Sequence, residues 1–324
     1  MIAVQDFDPA DAEAWDAFCG DSVQGTLLHT RRYLSYHGKR FRDRSLVVRR
    51  EGDWAAVFPA AENPDDPGCI VSHPGITYGG LVHRGDARGE HAIEILRSVL
   101  AHYAAAGARR LLYKAVPAIY HRRPASDDTY ALTHLGARLV RRDLSCAINL
   151  ADAYPLGSRR RRGVRRAQSA GLRIERGPDH LAAFWRVLSE NLAERHGVRP
   201  VHDLAEISLL AERFPEAIRC IVATDGADVV AGTLLYDTPT VSHAQYIASS
   251  PRGFEASALD AVFADAIALA RQSGRRYFDF GISTEQGGTI LNAGLYQFKS
   301  EFGGGGIVHD YYQIDLGVTA HELR

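Results

Sequence analysis

Two stretches of this sequence pass through the same order of elements, and that internal repeat restricts the architecture more than any single motif. In the first, Ser45 to Arg50 and Trp54 to Ala61 predict a β-hairpin turning at Glu51-Gly52-Asp53. In the second, Cys220 to Thr224 and Val229 to Tyr236 turn at Asp225-Gly226. A strand follows in each, Ile76 to Val82 and Ser242 to Ala248. Arg88-Gly89-Glu90-His91-Ala92 and Arg252-Gly253-Phe254-Glu255-Ala256 then open helices. Their apolar positions, Ile93, Leu96, Val99 and Leu100 in one and Leu259, Val262, Phe263 and Ala266 in the other, recur at helical spacing. Each helix stops at a glycine, Gly107 or Gly274, and basic residues lead into another strand, Leu111 to Ala115 or Tyr277 to Gly281. The fold class expected is α/β (α+β), two tandem units, each a mixed, mostly antiparallel sheet flanked by helices.

A length of 324 residues suits two domains of ordinary size. The first is expected over residues 1–150 and the second over 151–324, with Ala151 to Gly157, containing Tyr154-Pro155, as the connecting loop. Ser158 is placed to cap an arginine-rich helix that stops at Gly171. Pro178 to Arg195 follows as an amphipathic helix carrying Phe184, Trp185, Leu188 and Leu192, then a shorter helix from Leu204 to Arg213. Gly303 to Gly306 turns into a last strand, Ile307 to Ile314.

No apolar run approaches the roughly 20 residues of a membrane span, and Met1 to Asp8 is acidic where a signal peptide would be basic and then apolar, so a cytoplasmic protein is expected. Cys19, Cys69, Cys146 and Cys220 are scattered without a C-x-x-C pair or histidines at ligand spacing, which implies buried thiols and no metal site. The net charge of -1 argues against a protein that coats nucleic acid nonspecifically. Charge is nonetheless concentrated locally: Arg159, Arg160, Arg161, Arg162, Arg165 and Arg166 can form a phosphate-contacting patch.

The stretch Tyr277-Phe278-Asp279-Phe280-Gly281-Ile282-Ser283 is a buried strand running into a polar, glycine-bearing loop with Gly287-Gly288, Asn292 and Gly294-Leu295, after which comes Phe298-Lys299-Ser300-Glu301-Phe302-Gly303. Glycines permit close approach of backbone to a ligand, and ligands of α/β proteins gather at the carboxyl ends of strands. Lys299 is therefore a candidate site residue, and an exposed lysine on an amphipathic helix is the plainer alternative.

This C-terminal pattern resembles that of the Fem family of aminoacyl-tRNA-dependent transferases, a branch of the GNAT acyltransferase superfamily. Arg159 to Glu175, Asn191 to His202 and Gly25 to Tyr33 resemble further family segments, and the repeated order of elements is that of a GNAT core. The resemblance implies two tandem GNAT-like domains, with the active site in the second. It puts the family's aromatic-Lys pair on Phe298-Lys299, the cation beside the oxyanion or the tRNA 3′-end. It matches Arg195, beside His196, to an arginine that holds substrate phosphate. A second phosphate-binding lysine of the family aligns near Ser35, which disfavours a UDP-linked acceptor. His243, Gln245 and Tyr246 fall on the strand lining the acyl cleft of GNAT folds, and Asn292 is placed as a further substrate contact. His202, just before the helix cap Asp203, is as readily structural as catalytic, and Lys114, Tyr120 and His121 of the first domain are expected to border an acceptor groove between the domains. Asp279 and Glu285 are candidates to accept the amine's proton or bind its ammonium form, a structural aspartate bonded to loop N–H groups being the more frequent outcome.

Coenzyme A-dependent GNAT enzymes hold pyrophosphate with a turn of the type R/Q-x-x-G-x-A/G at a helix start. Here Glu255 and His91 stand at the glycine positions counted from Arg252 and Arg88. No G-x-S-x-G elbow or cysteine motif offers a covalent nucleophile. The function expected is an aminoacyltransferase: an amino acid passes by direct attack from aminoacyl-tRNA to an amine of a small-molecule or cell-wall-like acceptor, with no cofactor. The alternatives are an acyl-CoA-dependent N-acyltransferase acting on an amino sugar or biosynthetic intermediate, and a noncatalytic double-GNAT binding module.

Overall fold

The computed structural model describes residues 1–152 and 156–317, without the side chains of Arg195 and His196. Its contacts divide the chain into two units. Unit 1 holds Met1–Asp143, Gln286–Thr289 and the chain from Val308; unit 2 holds Leu144–Glu285 and Ile290–Ile307.

Unit 1 begins with β1 (Ile2–Asp6), α1 (Ala12–Asp21) and α2 (Arg31–Leu34), then β2 (Leu46–Arg50), β3 (Asp53–Phe58), β4 (Ala61–Glu62), β5 (Cys69–Val71) and β6 (Val82–His83). It continues with α3 (Glu90–Ala105), β7 (Arg110–Lys114) and α4 (Asp127–His134). β1, β2, β3 and β6 pair antiparallel in that order. The strand expected over Ile76 to Val82 is reduced to β6, because Gly75, Gly79 and Gly80, the last at φ +80°, interrupt it. One apolar face of α3, with Ile95, Leu96 and Val99, packs into a core with Leu46, Val48, Leu111 and Tyr113.

β8 (Arg138–Asn149) crosses from unit 1 into unit 2. Unit 2 then has α5 (Ser158–Ser169), β9 (Arg173–Arg176), α6 (Leu181–His196), α7 (Leu204–Arg213), β10 (Ile218–Asp225), β11 (Asp228–Asp237) and β12 (Val241–Ser249). It closes with α8 (Pro251–Glu255), α9 (Ala258–Gln272), β13 (Tyr277–Ile282), the small hairpin β14 (Thr284–Glu285) and β15 (Ile290–Leu291), and α10 (Ala293–Ser300). The sheet order is β8-β13-β12-β11-β10-β9, antiparallel except for the β12–β13 pair. The last strand, β16 (Gly305–Asp315), takes in two of the glycines expected to form a turn. From Tyr311 to Asp315 it pairs antiparallel with β7, which assigns this end of the chain to unit 1.

Alternation separates the two faces of the unit 2 sheet. Ile221 and Ala223 join Val262 and Phe263 of α9 in the core, while Val222 and Gly232 lie against Phe184 of α6. α5 packs on α9, and Gly163 permits it: a Cβ there would sit 2.3 Å from Oδ2 of Asp260. Gly157 precedes α5 as its cap, with no side-chain bond, so Ser158 is the first residue of the helix and not its cap. α7 starts at a reciprocal pair, Asp203 accepting from the Glu206 N–H and Glu206 from the Asp203 N–H. No described helix is long and apolar enough to cross a membrane.

Candidate active site

Among the described residues, unit 2 has one parallel strand pair, and it is short. β12 and β13 pair at Val241↔Tyr277, Ser242↔Phe278 and His243↔Asp279, after which their ladder ends. On its other edge β13 meets β8 irregularly between Asp279 and Ile282, where Gly281 takes φ +77°. β12 bulges as well: its ladder with β11 shifts between Leu234 and Leu235, leaving Gln245 as the extra residue. Parallel strands that stop pairing leave main-chain groups to be satisfied by other partners. His243 and Asp279 occupy the last paired position, where that opening begins.

Phe278 and Phe280 point to the α9 face, with ring centroids 6.1 and 5.0 Å from Phe263. Asp279, between them, points the other way and has no exposed surface. Ser145 of β8 and the Gly281 N–H, at 3.0 Å, donate to its Oδ1, while His243 Nδ1 lies 3.0 Å from its Oδ2. A carboxylate removed from water persists only when its lone pairs are engaged. Of the two readings the sequence offers for Asp279, proton acceptor or structural aspartate bonded to loop N–H groups, its bonds to the Gly281 N–H, Ser145 and His243 match the second.

α10 is started by Asn292, whose Oδ1 accepts from the Leu295 N–H at 3.0 Å and whose Nδ2 donates to Glu285 at 2.8 Å. Asn292 and the exposed Glu285 thus brace the helix that carries Lys299. The Lys299 side chain turns inward, leaving the residue 2% exposed, and its Nζ donates to the carbonyls of Gly281 (2.9 Å) and Ile282 (2.7 Å). Burial pushes its pKa down from 10.5 to about 8, against the opposing pull of Asp279. Cys146 interacts with both charges, and burial pushes its thiol up to about 11, so it offers no thiolate near neutral pH.

Phe298 is half-buried among Phe263 and Phe302, at 6.0 and 5.4 Å, under the Arg160 guanidinium 4.7 Å away. His202 is buried with Nδ1 2.5 Å from the Tyr246 hydroxyl, and Tyr246 meets Trp185 edge-on at 4.8 Å. Gln245 Oε1 is buried with no hydrogen-bond partner among the described residues. Arg195 and His196 end α6, and their side chains lie outside the described residues. In unit 1, Lys114 is buried on the carbonyls of His73 and Ile76, Tyr120 packs 4.6 Å from Tyr78, and His121 Nε2 lies 3.0 Å from the Val116 carbonyl.

The arginines of α5 divide. Arg159, Arg161, Arg162, Arg165 and Arg166 are exposed. Arg160 is not: its Nη1 lies 2.8 Å from Asp260 and its Nε 3.0 Å from Glu301. Arg160 therefore leaves the phosphate-contacting set expected from sequence, since its charge is spent inside the unit. Asp260 stands on the buried face of α9, and a carboxylate on an apolar helix face was the available signal for this ion pair. Ser145 has no comparable signal, because nothing near it in sequence marks it as the partner of Asp279.

Gly281 is where backbone conformation and site meet. At its φ of +77° an added Cβ is strained and would lie 3.4 Å from His243 Cε1. Gly281→Ala should cost about 1–2 kcal/mol, read as a lowered midpoint in urea; an unchanged midpoint would contradict this local geometry.

A family model for the acetyltransferase (GNAT) domain matches residues 157–300. No curated protein matches the sequence. Among solved structures, FemX superposes with a TM-score of 0.70 at 15% identity, over 96% of this chain and 96% of that one. L-PGS from Bacillus licheniformis gives 0.61 at 15% identity, over 98% and 94%. A tandem GNAT protein from the clavulanic acid biosynthesis pathway gives 0.53 at 10% identity, over 98% and 100%. Residues 157–300 thus match a GNAT acetyltransferase domain, and the chain has the fold of FemX along nearly its whole length.

Proposed function

We propose that this acyltransferase forms an amide bond by moving an amino acid from aminoacyl-tRNA to an amine of a small-molecule or cell-wall-like acceptor. The attack is direct, with no covalent enzyme intermediate. Lys299 carries the proposal: a buried ammonium fixed on two carbonyls just past the point where β12 and β13 part. Two of its N–H groups are committed there, and an ammonium has a third to offer a developing oxyanion. Enclosure strengthens that interaction, because a site of low dielectric screens charge weakly.

The donor is argued from α5 and α8. The exposed arginines of α5 suit a ribose-phosphate chain. The start of α8 does not suit a pyrophosphate: Ser250 Oγ already accepts the Gly253 N–H at 3.1 Å, Arg252 is paired with Asp225 at 2.7 Å, and Glu255 adds a carboxylate. The GNAT family match keeps acyl-CoA as the competing donor.

Incubation with a pool of tRNAs charged with labelled amino acids, and in parallel with labelled acetyl-CoA, over a panel of primary amines decides between them. Amine-dependent transfer of label from tRNA is expected. Transfer from acetyl-CoA alone would overturn the donor assignment. Changing Arg162, Arg165 or Arg166 to alanine should weaken tRNA binding about equally for all tRNAs and lower the slope of log Kd against log salt by about 1 each. Fluorescence anisotropy between low and moderate salt reads this, and an unchanged slope would exclude the α5 face.

A further inference from the structure

We propose that His243 is the group that takes the proton from the attacking amine, with Asp279 as the residue that positions it; this rests on the acyl transfer proposed above but not on the identity of the donor. An amine that attacks a carbonyl carbon becomes cationic at nitrogen and must lose a proton for the amide to persist. Among the expected candidates, Asp279 is enclosed and Glu285 is exposed and bonded to Asn292. His243 alone combines a fixed ring with its place at the strand opening.

Three observations converge on it. Its Nδ1 faces the Asp279 carboxylate at 3.0 Å, and that carboxylate is itself held from its other oxygen by Ser145 and the Gly281 N–H. An imidazole donating from Nδ1 is in the tautomer whose Nε2 is basic. Its Cε1 lies over Gly281, whose carbonyl Lys299 holds, so the imidazole and the ammonium approach the same residue of β13. The His243 side chain is 12% exposed, enclosed yet not sealed.

The step balances without an outside reactant. The neutral amine forms the C–N bond while Lys299 stabilises the oxyanion, and the amine's proton passes to His243 Nε2. The resulting imidazolium is stabilised by Asp279. As the bond from the acyl carbon to the leaving group breaks, C–O in an aminoacyl ester or C–S in a thioester, the imidazolium returns the proton to that oxygen or sulfur, and amide and free hydroxyl or thiol are released. Other titratable groups around the imidazole are Tyr236, opposite it on β11, Lys299 from α10, and Cys146 of β8 behind Asp279.

His243→Gln, which keeps a donor toward Asp279, is compared with the parent using both charged tRNA and acetyl-CoA over the amine panel. With whichever donor the parent uses, kcat should fall about 10²–10⁴-fold, the acidic limb of the pH profile should vanish, and tRNA affinity should be unchanged. Asp279→Asn should lower kcat in the same direction. Long-range ¹H–¹⁵N spectra of histidine-labelled parent, assigned by the His243→Gln variant, should show neutral His243 protonated at Nδ1. A parental kcat and pH profile in folded His243→Gln, or a neutral ring protonated at Nε2, would overturn the proposal. Parent transfer from acetyl-CoA alone would overturn the donor assignment, and the same kcat comparison would still decide the role of His243.

Discussion

Lys299→Met should leave a folded protein whose turnover is lower by about 10²–10³-fold, the range for loss of one donor to a developing oxyanion. The folding half of this result follows from two opposing terms. Holding Lys299 charged inside unit 2 moves its pKa from 10.5 to about 8, which corresponds to about 3 kcal/mol of destabilisation at neutral pH. Methionine removes that cost and fills a similar volume, while the Gly281 and Ile282 carbonyls lose their ammonium donor, at about 1–3 kcal/mol for a buried acceptor. The terms are comparable, so activity and stability should separate.

The pH dependence has a definite sign. Between pH 8 and 10.5 the folded parent has lost the Lys299 proton while the unfolded chain keeps it, so this group makes stability rise with pH over that window. Turnover moves the opposite way, falling as the cation is lost above about pH 8. Denaturation midpoints and kcat measured from pH 7 to 10 should show both trends in the parent, and Lys299→Met should lose the stability trend.

The second large effect is on folding. Arg160→Met should destabilise unit 2 by about 3–5 kcal/mol near pH 7.5, the cost of leaving a buried ion unpaired. Arg160 joins Asp260 and Glu301 and covers the rings of Phe298 and Phe302 at 4.7 and 5.8 Å, so it ties α5 to α9 and to the end of α10. Burial already pushes Asp260 up to about 6 against the pull of Arg160, and removing the guanidinium pushes it further. A carboxyl whose folded pKa is raised is most favourable in the fold at low pH and loses that contribution as pH rises through the folded value. The deficit should therefore shrink at pH 5. Arg162→Ala, on the exposed face, should stay within about 0.5 kcal/mol of the parent. Urea melts of the two variants at both pH values check the contrast, and equal midpoints would contradict it.

The order of elements in both halves was legible because periodicity and glycine stops are local signals. The strand at Ile76 was misread because its composition is strand-like while its glycines act through backbone conformation, visible only once Gly80 is seen at positive φ. Lys299 was legible through the family's aromatic-lysine pair, but its bonding to Gly281 and Ile282 depends on residues 17 and 18 positions away folding back beneath α10. The Ser145-Asp279-His243 cluster was harder still: its members lie 134 and 36 positions apart and are joined by strand pairing. In the arginine cluster, sequence showed charge but not facing, and Arg160 turned inward toward Asp260.

Single-turnover transfer of labelled amino acid from a mixed pool of charged tRNA to amine acceptors, run side by side for the parent and a demonstrably folded Lys299→Met variant, tests the central claim most directly. The account predicts rapid transfer by the parent and a loss of about 10²–10³-fold in the variant at equal tRNA occupancy. Equal single-turnover rates in the two proteins would contradict it.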